Sequence, residues 1–146
     1  MEDKESLKEY MLKEIEIIQD IIKRMAFNSF MLKGWTITLV VIVLLLKGTK
    51  NQILIAFIPL LVFWFLDAYF LWQERMYRKL YEWVIDNRLK TDEYLFDMKA
   101  QDRFKDEVDS NFEIMFSKTL GCFYGSMGIL IIIYALILFL TTNGGG

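Results

Sequence analysis

The chain has 146 residues, of which 55% are hydrophobic and 16% aromatic, and its formal net charge at pH 7 is -2. This composition is too apolar for a soluble domain of that length and predicts an integral membrane protein. The chain contains no histidine and one cysteine, Cys122, which excludes a disulfide framework and a histidine–cysteine metal site. We expect an all-α fold with three transmembrane helices, an N-terminal amphipathic helix and cytosolic helical extensions, assembled as a homo-oligomer.

The first segment, 1–25, predicts a cytosolic amphipathic helix. Its apolar residues recur at spacings of four and three, at Leu7, Met11, Ile15, Ile18 and Ile22, which is the period of a helix with one apolar face. Acidic residues outnumber basic ones here, so we expect the apolar face to pack on protein: on its own cytosolic helices or on the same helix of a neighbouring subunit. No helix breaker separates this segment from the next, so the two can form one long helix.

Two apolar runs follow over 26–72, a first span at 26–46 and a second at 53–72, joined by the polar link KGTKNQ. Each run reaches the ~20 residues that a bilayer requires only if it includes one charge, Lys33 in the first and Asp67 in the second. A tight helical hairpin places both charges at the same depth. Because an ionisable group inside a bilayer usually meets a partner, we predict a Lys33–Asp67 pair. The alternative is that Lys33 extends to the interface and Asp67 accepts local hydrogen bonds.

A polar stripe marks the first span, since Ser29, Lys33 and Thr36 are spaced four and three apart and share one helix face. Such a stripe turns away from lipid, either to line a pore or gate or to form hydrogen bonds between helices. In the second span, Pro59 removes an amide donor and crowds the carbonyl of Ile55, which predicts a kink near mid-membrane.

The segment 73–111 is expected to lie in the cytoplasm. The second helix should continue to Lys90, followed by an acidic region with a turn and a short helical piece around 96–104. Basic residues cluster after the second span, at Arg75, Arg78, Lys79, Arg88 and Lys90. The positive-inside rule then predicts that the N-terminus and this segment lie in the cytoplasm, and a third span would leave the C-terminus outside.

The segment 112–141 predicts a third helix, opened by a capping box at Ser110 and Glu113 and running unbroken into the uncharged span 120–140. A ridge of small residues on this helix suits close helix packing between subunits: Ser117, Gly121, Gly125 and Gly128. A tail over 142–146 ends in three glycines, which we set aside as an expression remnant.

No catalytic motif is present: the chain has no phosphate-binding glycine loop, no nucleophile with a base and no zinc signature. We expect no enzyme, no catalytic residue, no metal site and no cofactor. The segment 72–90 interleaves Arg75, Arg78, Lys79 and Arg88 with Tyr77 and Tyr81. Cations for phosphates and rings for bases are what single-stranded nucleic acid requires. The alternative is that topology alone explains the cations and that the rings belong to a core.

The runs NSFMLKGWTITLV (28–40) and AFIPLLVFWFLDAYFLWQERMYRKLY (56–81) resemble the membrane effectors of the Hailong anti-phage defence system. The resemblance implies an ion-conducting homo-oligomer of the bacterial inner (cytoplasmic) membrane, for which we expect a tetramer, that depolarises the membrane in abortive infection. It also implies that a partner nucleotidyltransferase makes a single-stranded DNA oligomer that holds the channel closed. Under this hypothesis Lys33 and Asp67 belong to the pore or gate, and Arg75, Arg78, Lys79 and Arg88 lie near the oligonucleotide. The alternative function is a non-conducting membrane scaffold or accessory subunit that recruits a cytosolic partner.

Overall fold

The computed structural model describes residues 2–46 and 55–143, and every regular element in these ranges is helical. The helices are α1 (Glu2–Leu45), α2 (Phe57–Asn87), α3 (Ala100–Phe104), α4 (Asn111–Met115) and α5 (Lys118–Asn143). The expected all-α class is therefore confirmed. The polar link 47–52 and the three terminal glycines lie outside the described residues.

Three helical stretches are long and apolar enough to cross a membrane: Lys4–Leu45, Phe57–Asn87 and Lys118–Thr141. Each of them contains most or all of one predicted span, and the first two extend well beyond it. The first contains both the N-terminal segment and the first span, because α1 is one uninterrupted helix of 44 residues. Residues 2–25 and the first span therefore form one long helix, in agreement with the absence of a helix breaker between them.

Pro59 lies in the first turn of α2, which begins at Phe57. A proline is tolerated there because the first amide groups of a helix have no partner within the helix. Ala56, next to Ile55, forms a turn. Ile55 itself is helical, so the helix is interrupted at Ala56, shortly before Pro59, near the predicted position but at the start of α2 rather than in the middle of the second span.

The chain forms two compact units, one from residues 1–28 and 70–110 and the other from 29–69 and 111–146. In the first unit, a core of buried apolar side chains joins α1, α2 and α3: Ile18, Met76, Leu80, Val84, Ala100 and Phe104. Burying one Val, Leu, Ile, Met or Phe side chain stabilises a fold by about 1.5–3 kcal/mol. Tyr77 and Tyr81 pack against this core, as expected from the alternative in which these rings belong to a core.

The second unit contains most of the described residues of the three predicted spans. Asp67 of α2 contacts both Lys33 and Tyr124, and the Tyr134 hydroxyl donates a hydrogen bond to the Leu44 carbonyl at 2.8 Å. Asp67 thus brings Lys33 of α1 near Tyr124 of α5, and further along both helices Leu44 meets Tyr134, so these two spans run parallel. The second span runs antiparallel to them, as a three-span chain requires.

The third helix is interrupted, contrary to the prediction of one unbroken helix. The α4 helix ends at Met115 and α5 begins at Lys118. In a continuous helix the Met115 carbonyl would accept a hydrogen bond from the amide of residue 119. Here it accepts one from the Trp64 indole Nε1 at 2.8 Å, so a side chain takes the place of a backbone donor at the break.

Candidate functional site

Asp67 is the centre of a buried polar cluster in the second unit. Its side chain is 0% exposed and its Oδ2 lies 2.6 Å from the Lys33 Nζ. The Ser29 hydroxyl donates a hydrogen bond to Asp67 Oδ1, and the Tyr124 hydroxyl donates one to Oδ2 at 3.0 Å. Lys33 Nζ also donates to the Ser29 hydroxyl at 2.8 Å. The ion pair predicted between the two spans is therefore present, and we call these four residues the Asp67 cluster.

The geometry of the Asp67 cluster stabilises the ionised carboxylate. A buried charge is tolerated when it is paired and its remaining lone pairs accept hydrogen bonds. One ammonium and two hydroxyl groups satisfy that requirement here, with one donor residue from α5 and two from α1. The two partners differ in access, because the Lys33 side chain is 24% exposed whereas Asp67 is fully enclosed.

Thr36, the third residue of the predicted polar stripe, is also buried. Its hydroxyl donates a hydrogen bond to the Leu32 carbonyl of the same helix at 2.7 Å. Ser29 and Lys33 thus bind Asp67 of α2, while the Thr36 hydroxyl binds a carbonyl of its own helix and also contacts the Tyr124 side chain of α5. Ser29 and Thr36 are buried within the chain and Lys33 is partly exposed; their role in lining a pore or gate stays a prediction.

Two aromatic residues of the site were missed by the sequence analysis, Tyr124 and Trp64. Their rings stack with centroids 5.8 Å apart and an angle of 9° between planes. Trp64 also packs edge-on against Phe116 at 5.4 Å. A tyrosine hydroxyl and an indole N–H inside a span each need a polar partner, and that requirement is the signal that could have drawn attention to both.

We expect Trp64→Phe to destabilise the second unit by about 1 kcal/mol, because it removes the hydrogen bond to Met115 while keeping an aromatic ring. The measurement is the midpoint of thermal unfolding in detergent. Trp35→Phe is the matched control, since Trp35 is half exposed and its indole has no hydrogen-bond partner in the described ranges. Equal shifts in the two variants would contradict a specific role for the Trp64–Met115 bond.

The small-residue ridge of α5 is used largely within the chain. A Cβ placed on Gly128 would lie 3.7 Å from Leu60, and one on Gly121 would lie 3.6 Å from the Phe116 carbonyl oxygen. The hydroxyl oxygen of Ser117 is buried. Only Gly125 of the four has open space around it, so the ridge does not form one free face for a neighbouring subunit.

The predicted basic residues of the first unit are paired with carboxylates. Arg75 pairs with Asp109, Arg78 with Glu74 at 2.7 Å and Lys79 with Glu82 at 3.2 Å. The three cations line an open cavity of about 260 Å³ together with Glu82, Glu107, Val108 and Asp109. Tyr77 does not line this cavity. Its hydroxyl donates a hydrogen bond to the Met98 carbonyl at 3.1 Å.

Arg88 does not belong to that basic surface. Its side chain is 0% exposed, and its guanidinium forms an ion pair with Glu14. Its remaining donors bind the carbonyls of Thr91, Glu93 and Tyr94. All five N–H groups of an arginine are thereby used within the chain, so the expected ligand contact of Arg88 is wrong. The α2 helix also ends at Asn87 rather than Lys90.

The protein thus combines three membrane-length helices with one enclosed carboxylate that binds side chains from the other two spans. Such an arrangement is costly inside a bilayer and is typically kept for a functional reason. Comparison with family models, curated proteins and solved structures found no match to this chain.

Proposed function

We propose that this protein is a bacterial membrane effector that conducts ions as a homo-oligomer, with the Asp67 cluster as its gate. The observation that carries the proposal is the Lys33–Asp67 pair, enclosed among helices of membrane length. Ionisable groups at such positions commonly mark ion paths. The Asp67 carboxylate binds residues of both other spans. Any large shift of one span therefore has to break a hydrogen bond or the ion pair of this carboxylate.

The same contacts suit a gate with two states. In the closed state the pair is neutral as a whole and its hydrogen bonds are satisfied. If the spans separate, Asp67 loses its partners and needs water instead. Opening and hydration of the path are therefore coupled, and hydration is what an ion requires for passage.

We propose further that a polyanion, a single-stranded DNA oligomer supplied by a partner nucleotidyltransferase, holds the channel closed, in keeping with the Hailong resemblance. The cavity lined by Arg75, Arg78 and Lys79 supports this assignment, because it gathers three cations, although Glu82, Glu107 and Asp109 also line it and a polyanion would have to displace carboxylates from the cations. Phosphate oxygens would replace the carboxylates of Asp109, Glu74 and Glu82 as their partners. Loss of the oligomer during infection would then depolarise the membrane and arrest the cell.

Liposomes that contain the protein are expected to leak monovalent ions, and a short single-stranded DNA oligomer is expected to suppress the leak. Liposomes with the triple variant Arg75→Gln, Arg78→Gln, Lys79→Gln should still leak, but the oligomer should suppress this leak less. The affinity of the variant for the oligomer should also depend less on salt: the slope of log K against log salt concentration should become smaller by about 0.7 for each lost phosphate contact. Substituting glutamine for the exposed Lys4, Lys8 and Lys13 is the control with the same change in charge. Tight liposomes with and without oligomer would overturn the proposal.

A non-conducting scaffold is the second candidate. It is favoured by large aliphatic side chains that stay exposed in the first unit: Leu12, Ile17, Ile85 and Leu89. Exposed apolar residues of this kind suit a protein partner. A stoichiometric complex with a soluble protein, together with tight liposomes, would support the scaffold.

A further inference from the structure

The short helix α4 and the turn that follows it carry two phenylalanines that stay largely exposed in the described chain. Phe112 and Phe116 are both 69% exposed. They lie four residues apart, and the Phe116 amide donates a hydrogen bond to the Phe112 carbonyl at 3.2 Å. Residues at this spacing share one face of a helical turn, so the two rings form a single apolar surface.

This surface is continuous with the part of the protein that faces the bilayer. The membrane-length stretch Lys118–Thr141 begins two residues after Phe116, and many of its aliphatic side chains are exposed in the same way, among them Ile129, Ile132, Ile133 and Leu136. Phenylalanine side chains on the apolar face of an interfacial helix insert into the boundary between lipid headgroups and acyl chains. The continuity identifies lipid as the occupant of the Phe112–Phe116 surface.

We infer that α4 and the turn after it form an interfacial anchor whose Phe112 and Phe116 side chains insert into the phospholipid surface, and that this contact is linked to the Asp67 cluster. The link consists of successive contacts within the second unit. Phe116 packs on Trp64, whose indole binds the Met115 carbonyl. Trp64 stacks on Tyr124, and the Tyr124 hydroxyl binds Asp67.

The link has a consequence for regulation, which rests on the proposed function. An anchored α4 stays at the level of the bilayer surface. The Asp67 cluster lies deeper, because Tyr124 is about 9 Å further along the α5 axis than Lys118, at a rise of 1.5 Å per residue. A bilayer of different thickness changes the position of the surface relative to the spans. The membrane itself is then an effector of the gate, acting through Trp64 and Tyr124.

The test uses nitroxide labels on the full chain in phospholipid vesicles. Because Cys122 is the only cysteine, Cys122→Ala provides a cysteine-free background for Phe112→Cys and Phe116→Cys. Gln101→Cys in the first unit is the aqueous reference and Ile137→Cys in α5 is the lipid reference; both positions are exposed. We expect the labels at 112 and 116 to collide more with oxygen than with a water-soluble nickel complex, as at 137 and in contrast to 101.

Nickel accessibility at 112 and 116 equal to that at 101 would overturn the anchor. Protection from both reagents with dipolar broadening between labels would also overturn it, because a second copy would then cover the surface.

For the link to the gate, the leak of wild-type protein should change between short-chain and long-chain phosphatidylcholine vesicles, and the change should be lost in Phe112→Ala/Phe116→Ala. An equal dependence in both proteins would overturn the link. Vesicles that never leak would contradict the proposed function while leaving the label result to decide the anchor.

Discussion

Arg88→Met is expected to destabilise the first unit by about 3–5 kcal/mol, because it leaves the Glu14 carboxylate buried without its counter-ion. The substitution also removes the donors for the carbonyls of Thr91, Glu93 and Tyr94. Those bonds hold a connection in which Tyr94 and Phe96 have φ angles of 55° and 54°. A left-handed conformation of a residue other than glycine costs roughly 1–2 kcal/mol, so this connection depends on the contacts that Arg88 and Glu14 provide.

The measurement is unfolding of the full chain in detergent, together with hydrogen exchange of the Phe96 amide, which donates to Glu14 Oε1 at 2.8 Å. We expect Arg88→Met to accelerate that exchange. The control is Lys13→Met on the same helix α1, since the Lys13–Glu9 pair is exposed and pairs of that kind contribute about 0–1 kcal/mol. Similar losses for the two substitutions would contradict the role assigned to Arg88.

The spans and their central ion pair could be predicted because they follow from short-range rules. Apolar run length fixes the number of crossings, and the positions of Lys33 and Asp67 relative to the link predict that they meet. The continuity of α1 follows from the lack of a glycine or proline before Gly34. Each of these inferences requires only the local pattern and the thickness of a bilayer.

The partners of Arg88 could not be predicted, because they are far away in sequence. Glu14 is 74 positions from Arg88, and in the sequence each looks like one charge among many on a solvated helix. Periodicity indicates which face of a helix is buried, but it does not indicate which residue of another helix lies opposite. Arg88 was therefore grouped with its exposed basic neighbours, although it differs from them completely in burial.

The break between α4 and α5 was missed for the same reason. No glycine or proline stands between Asn111 and Lys118, and the pattern of capping residue and apolar run is typical of one continuous helix. The break depends instead on Trp64, 51 positions away, which binds the Met115 carbonyl. A tertiary contact overrides local helix propensity here.

Lys33→Met is expected to be the more damaging of the two single substitutions in the Asp67 cluster. It leaves the enclosed Asp67 as an unpaired charge, which on insertion scales costs about 2.5–3.5 kcal/mol. Asp67→Asn should cost less, because Lys33 is partly exposed and a lysine can extend its ammonium toward the interface. The measurements are the thermal midpoint in detergent and the ion leak of reconstituted vesicles, where we expect both variants to change the leak.

The double variant Lys33→Met/Asp67→Asn should recover part of the stability lost by Lys33→Met, because no unpaired charge remains. Residues in direct contact show such coupling in a double-mutant cycle, whereas independent residues give additive effects. Lys118→Met is the control, since it removes one lysine from the exposed start of α5 and should change stability by less than about 0.5 kcal/mol. Strict additivity in the cycle would show that the two charges act separately, and the Asp67 cluster could not then serve as a gate that opens when its ion pair breaks.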